Sequence, residues 1–271
     1  MTKQQPPVGT LTPWRRAPFT GGAMTYDCYE RGAGPGVVLI PEIPGITPAV
    51  LGLADHLVDH GFTVVVPSPF GTPGRTPSGA YLIGTVARLC VASEFRAFAL
   101  GAHRPITDYL RAVAADLATR TPGKGVGVIG MCFTGGLALA AAVDQTVAAS
   151  VVSQPAMPFP VTSRRRADPT MSPAELDRVA ARAEAGEVCA LGLRFSEDST
   201  APAQRFRTIS DRLGDAFRVI EIDSSPGNPG GFSRRAHSVL TEEVRDRPGH
   251  PALEARAQVV AFLNEHLRSD T

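Results

Sequence analysis

Residues 125–142 read GVGVIGMCFTGGLALAAA, and no other stretch limits the fold of this chain as tightly. An apolar β-branched run (Val126, Val128, Ile129) ends at Gly130, and Cys132 follows two residues later. Gly135 and Gly136 then open an Ala/Leu-rich segment of high helix propensity. A strand, a tight turn with a nucleophilic side chain at its apex, and a helix make up the layout of a nucleophile elbow. The turn lifts one side chain out of the sheet edge and aims it at the N-terminal end of the next helix. There the partial positive charge and the free N–H groups favour a thiolate and a developing oxyanion. Cys132 is therefore the candidate nucleophile. A small buried hydrophobe is the alternative reading; it suits Cys28, Cys90 and Cys189 but leaves the glycine frame around Cys132 unexplained.

The same stretch contains G-x-G-x-x-G at Gly125, Gly127 and Gly130. A dinucleotide fingerprint places its glycines after the strand, with an acid closing the next strand. Here Val126, Val128 and Ile129 alternate with the glycines, which puts them inside the strand. Asp144 precedes the next apolar run, 148–152, instead of ending it. The pattern argues against a dinucleotide, and no cofactor is expected.

A chain of 271 residues is long enough for one α/β domain spanning 1–271. At this size roughly three-quarters of the extended surface is buried, so neither disulfide nor metal is needed as a staple. Lys and Arg number 27 against 26 Asp and Glu, which gives no reason to expect nucleic acid or an anionic membrane as partner. The four cysteines lie far apart with no C-x-x-C pair, and no Cys/His cluster has metal-ligand spacing. His56 and His60 are four apart on a predicted helix, but no acid or thiol accompanies them as a third ligand. The start of the chain lacks the apolar core of a signal peptide, and no run approaches the ~18 apolar residues of a membrane helix. A cytoplasmic protein, monomeric or homodimeric, is expected.

Along the chain, residues 1–20 are Pro- and Thr-rich and read as an irregular N-terminal segment, and 24–30 as an edge strand. The run 36–40 (GVVLI) reads as a parallel strand buried on both faces. It leads into Pro41-Glu42-Ile43-Pro44-Gly45, where Glu42 is either a solvated loop acid or a site residue, since open α/β sheets place their sites at strand carboxyl ends. A helix over 47–60 and a strand over 62–66 follow, ending at Pro67-Ser68-Pro69-Phe70. Residues 71–104 carry no clear pattern, and 105–120 reads as a helix with proline in its first turn. After a strand at 148–153, residues 157–187 read as a polar, lid-like insertion. It holds Arg164-Arg165-Arg166 and a helix from Ser172, where Ser-Pro-Ala-Glu is a capping box. A strand over 187–195 precedes Asp198, a helix spans 204–213, and the last strand is 217–222. The loop 224–235 delivers His237, and 251–267 is a closing helix. Strands alternating with helices throughout predict a mostly parallel, doubly wound sheet with helices on both faces.

Cys132, Asp198 and His237 follow the nucleophile–acid–histidine order of the α/β-hydrolase triad. His237 would take the thiol proton and return it to the leaving alkoxide, and Asp198 would fix the imidazole tautomer. His250 is the rival histidine, and Glu197 and Asp223 are the rival acids.

With these pieces in place, the chain resembles the dienelactone hydrolase family of α/β hydrolases. The likeness is carried by Ile40-Pro-Glu42-Ile-Pro-Gly45, the 57–67 helix-to-strand unit, Gly130-Met-Cys132-Phe, Asp198-x-x-x-Pro202 and Ala236-His237-Ser238. The resemblance implies an α/β-hydrolase fold and a carboxymethylenebutenolidase-like enzyme with Cys132, Asp198 and His237 as its triad. It further implies that Glu42 contacts the resting thiol, and that the backbone N–H groups of Ile43 and Phe133 form the oxyanion hole. Two departures stand out. Thr134 occupies a usual glycine, and Thr72 and Thr241 stand where the family's carboxylate-binding arginines lie. Phe70, Arg75 and Arg234 are the candidate substrate contacts, with Arg235 as a further substitute arginine. The expected partner is a small ester or lactone. Acyl transfer or thioester hydrolysis on the same residues, or ligand binding without chemistry, are the alternatives.

Overall fold

The computed structural model describes residues 5–269. One eight-stranded sheet runs through them: β1 (Arg15–Gly21), β2 (Met24–Arg31), β3 (Gly36–Ile40), β4 (Thr63–Pro67), β5 (Val126–Met131), β6 (Val147–Ser153), β7 (Cys189–Phe195) and β8 (Phe217–Ile222), in spatial order β1-β2-β4-β3-β5-β6-β7-β8. Strands β3 to β8 run parallel to one another, while β2 is antiparallel to both of its neighbours, β1 and β4. The doubly wound, mostly parallel sheet expected from the sequence is thus present.

The N-terminal reading is corrected. Residues 15–21 are not irregular: they form β1 and make it the sheet edge, so β2 lies one strand inside. Pro18 hid the strand, because proline cannot donate to a ladder and is tolerated only where one side is free, as it is here. Residues 1–4 of that segment lie outside the described residues.

Both faces of β3 are buried. Val37 and Leu39 pack on one side with α1 (Pro48–Asp59) and α8 (Pro251–Leu267); Val38 and Ile40 pack on the other with α3 (Pro105–Arg120) and α4 (Gly135–Ala141). The alternation is the pleat of a two-sided strand, which explains why the run had to be apolar throughout. The unassigned stretch 71–104 contains α2 (Gly79–Val91), capped by Ser78 and buried only at Thr85 and Leu89.

Residues 157–187, expected as a polar, lid-like insertion, pack partly into the body of the domain. They fold as α5 (Ser163–Ala167) and α6 (Pro173–Glu184), and Met157, Met171 and Val179 are fully buried in the core. Arg165 on α5 lies over the Phe98 ring and donates to its carbonyl at 3.0 Å. The capping box is present, and its acid does more than cap. Glu175 accepts from Ser172 N–H at 2.9 Å and Arg111 at 2.9 Å, and pairs with His103 at 2.7 Å.

Burial alone would raise the Glu175 pKa. The bonds from His103, Ser172 and Arg111 outweigh it and bring the carboxyl from 4.5 to about 2. A depressed pKa contributes stability above 4.5 that is lost as pH falls toward 2. Glu175→Gln should therefore cost about 3 kcal/mol at pH 7 by urea unfolding, with the gap to wild type narrowing below pH 4.5. A gap independent of pH would show that the charge is not what stabilises.

Candidate active site

β3 and β5 are neighbours from which the chain winds in opposite directions, so their carboxyl ends form the crevice where open α/β sheets bind ligands. The loop after β3 brings Glu42 and Ile43 there, and the turn after β5 brings Cys132. The loops after β7 and β8 bring Asp198 and His237.

Cys132 sits at φ +52°, a conformation that non-glycine residues seldom adopt. A side chain held there by the surrounding structure is the strain expected of an elbow apex. Two glycines permit it: a Cβ on Gly130 would meet the Thr134 carbonyl oxygen at 2.4 Å, and one on Gly136 would meet Thr170 at 2.3 Å. Thr134 accounts for its own departure from the family pattern. Its hydroxyl accepts from Met131 N–H at 3.1 Å and lies 2.9, 3.2 and 3.3 Å from the carbonyls of Met131, Pro41 and Ile40. It ties the elbow to the end of β3, which glycine could not do.

The His237 Nδ1 lies 2.6 Å from Asp198 Oδ2. The other Asp198 oxygen accepts from Thr200 N–H at 2.9 Å, Thr200 Oγ1–H at 2.7 Å and Ala201 N–H at 3.3 Å. Burial raises the Asp198 pKa, but the bond and charge of His237 and the Thr200 donors outweigh it, so the carboxyl lies below its usual range. Burial likewise pulls the His237 pKa down. The nearby Cys132 sulfur and the bond to Asp198 outweigh it and raise it well above 6.5. Cys132 and the bonded His237–Asp198 pair thus line one cavity. The rivals are elsewhere: buried His250 packs against Phe232 ahead of α8, Glu197 pairs with Arg234 at 2.8 Å, and Asp223 accepts from Ser225 N–H.

Glu42 is where the resemblance fails in detail. It is buried, but its carboxylate accepts from Ser238 Oγ at 2.8 Å, Gln154 Nε2 at 3.3 Å and the Thr241 hydroxyl, and does not bond the thiol. Gln154 went unread because it follows a strand in an ordinary polar pair, and Thr241 stands out in the sequence only as a departure from an arginine, not as a partner of Glu42. Their burial is the signal, and only the fold supplies it.

A cavity of about 570 Å³ opens on Cys132, Asp198 and His237, and Glu42, Ile43, Phe133 and Arg234 also line it. Its remaining walls include Leu82, Val86, Ala156 and Phe159, none of which the sequence singled out. Phe70 and Arg75 are corrected, because neither lines this cavity. Phe70 packs edge-on against Phe95 and Phe133, 5.8 and 6.5 Å between ring centres, and Arg75 lies 4.2 Å over the Tyr81 ring beside a separate cleft. Among the described residues no three His, Cys, Asp or Glu side chains gather as a metal site, and no helix is long and apolar enough to cross a membrane.

The model of the dienelactone hydrolase family matches residues 24–267. Among solved structures, the chain is similar to a Klebsiella pneumoniae protein provisionally named a dienelactone hydrolase, at 14% identity and TM-score 0.63, covering 93% of this chain and 98% of that one. It is also similar to the dienelactone hydrolase-like promiscuous phosphotriesterase P91 from metagenomic libraries, at 16% identity and TM-score 0.60 over 94% and 98% of the two chains. The α/β hydrolase GrgF from a Penicillium species matches at 14% identity and TM-score 0.58 over 94% and 99%. No curated protein sequence matches significantly. At such identities the structures speak for the fold, while the family model covers the elbow, the acid loop and the histidine loop together. The chain belongs to the dienelactone hydrolase family.

Proposed function

We propose that the chain hydrolyses carboxylic esters or lactones through a thioester on Cys132. One observation carries the reading: Cys132 is held at φ +52° in the cavity that His237 also lines, with Asp198 bonded behind the imidazole.

Asp198 keeps the proton of neutral His237 on Nδ1, leaving Nε2 to take the Cys132 proton. That transfer gives a thiolate–imidazolium pair with Asp198 behind the imidazolium. The sulfur adds to the ester carbonyl, and the N–H groups of Ile43 and Phe133, residues of the cavity wall, would receive the oxyanion. The imidazolium then protonates the departing alkoxide, leaving the acyl group on sulfur. Water, deprotonated by His237, attacks the thioester; the tetrahedral adduct expels the thiolate and releases the carboxylic acid. Glu42 takes a positioning role, linking the loop that bears Ile43 to Ser238, the residue after His237.

Rapid acid quenching of a reaction with 4-nitrophenyl butyrate should trap a butyryl group on the peptide containing Cys132. Turnover that survives stoichiometric alkylation of Cys132 would overturn the proposal.

A further inference from the structure

The wall of the cavity says more about the substrate than the triad does. Both positions that would hold a carboxylate-binding arginine are occupied otherwise. Thr241 is fully buried and donates to Glu42, and the Thr72 backbone N–H donates to the Tyr81 hydroxyl at 2.5 Å. Arg75 is turned away onto that same tyrosine. Arg234 and Arg235 stand at the rim, both exposed, and Arg234 is already held by Glu197 through contacts of 2.8 and 3.2 Å.

The interior is apolar. Leu82 and Val86 of α2 line it together with Ala156, Phe159 and Phe133, and Phe159 is braced by Phe98 at 5.8 Å between rings. The apolar surface continues outward, with Ile83 of α2 73% exposed and Leu82 37%. On the other flank, Ser238 and Glu42 also line an adjoining cleft that Glu242 borders. Burial first, and the Glu42 charge second, hold the Glu242 carboxyl above its usual range. An anionic group entering from that flank meets two carboxylates and no buried cation.

We infer that this site takes an uncharged ester or lactone carrying an apolar acyl arm, seated between Leu82, Val86, Ala156 and Phe159, and that it does not read a substrate carboxylate. Magnitudes decide between the two. An exposed ion pair at the rim is worth at most about fivefold in binding. Each methylene moved from water onto apolar walls is worth about fourfold. The inference rests on the ester-hydrolase reading for its kinetic arm only.

The test compares 4-nitrophenyl acetate, butyrate and hexanoate, and then 4-nitrophenyl valerate against its anionic counterpart of similar size, 4-nitrophenyl succinate. The kcat/KM should rise on the order of 10²-fold from acetate to hexanoate, and valerate should exceed succinate by at least about tenfold. In Leu82→Asp, which changes an exposed helix position, the hexanoate-to-acetate ratio should collapse. Succinate equal to or better than valerate overturns the inference. A second readout needs no turnover: protection of Cys132 from N-ethylmaleimide by hexan-2-one against 4-oxopentanoate. If no ester is hydrolysed but hexan-2-one alone protects, the hydrolase reading fails and the apolar site stands. Better protection by 4-oxopentanoate, or protection by neither, overturns the apolar site.

Discussion

Cys132→Ala should lower kcat for a neutral activated ester by at least ~10³-fold, and His237→Ala should do the same, because members of a triad act as a unit. Combining the two should cost little more than either alone. The residual rate would come from binding and from whatever oxyanion donors remain. Folding is not the cause of the loss: alanine adopts φ +52° no less readily than cysteine, so thermal unfolding should barely move. Alkylation gives an independent check on the same thiol. Cys28 is buried, with its pKa raised by burial, and lies 3.4 Å from the Tyr109 hydroxyl; burial also raises the Cys189 pKa. A thiol with a raised pKa carries little thiolate near neutrality. Cys132, open to the cavity beside His237, should therefore react ahead of both with N-ethylmaleimide. An undiminished rate in Cys132→Ala would make Cys132 a packing residue and remove the basis of the mechanism.

The parts that were legible from sequence are those where local chemistry and topology coincide. The apolar run 36–40, the glycines around Cys132 and the capping box at Ser172 each specify backbone on their own, and each is where it was expected. The order Cys132, Asp198, His237 was readable because a parallel sheet delivers successive loops to one edge. What stayed hidden is the direction in which side chains turn from those loops. Phe70 and Arg75 follow a strand on the correct edge, yet one packs behind the elbow and the other stacks on Tyr81. Glu42 is beside the site as expected, but its partners come from residues 154, 238 and 241, and pairing across more than a hundred residues leaves no mark in a linear pattern. The burial of part of the 157–187 segment stayed hidden for a related reason. Its polar composition suggested a solvated cover, while one arginine from another helix supplies the bonds that bury it.

That arginine is Arg205, in α7 (Ala203–Leu213), and it has no exposed surface. Its Nε donates to the Asp168 carbonyl at 2.6 Å, and Nη2 to those of Pro158 at 2.7 Å and Arg165 at 2.8 Å; Nη1 donates to the Pro155 carbonyl. Burial lowers the guanidinium pKa to about 10, so it remains charged at neutral pH. One side chain thus satisfies four carbonyls of the 155–168 segment, which carries Ala156 and Phe159 to the cavity. Arg205→Met fills similar volume but leaves those carbonyls without a donor. Breaking such a buried, hydrogen-bonded charge should cost about 3–5 kcal/mol, measured as a shift in the guanidinium chloride midpoint at constant slope. Because Phe159 is a wall and not a reacting group, the surviving enzyme should show a larger rise in KM for the hexanoyl ester than fall in kcat. Arg205→Lys separates charge from shape: it keeps the cation but lacks the planar fork that reaches several carbonyls at once, so it should recover only part of the loss. Full recovery by lysine would mean that the charge, through nearby Asp168, holds the segment and the fork does not. A cost below about 1 kcal/mol in Arg205→Met, no more than an ordinary net hydrogen bond contributes, would mean the segment is held by its own buried methionines.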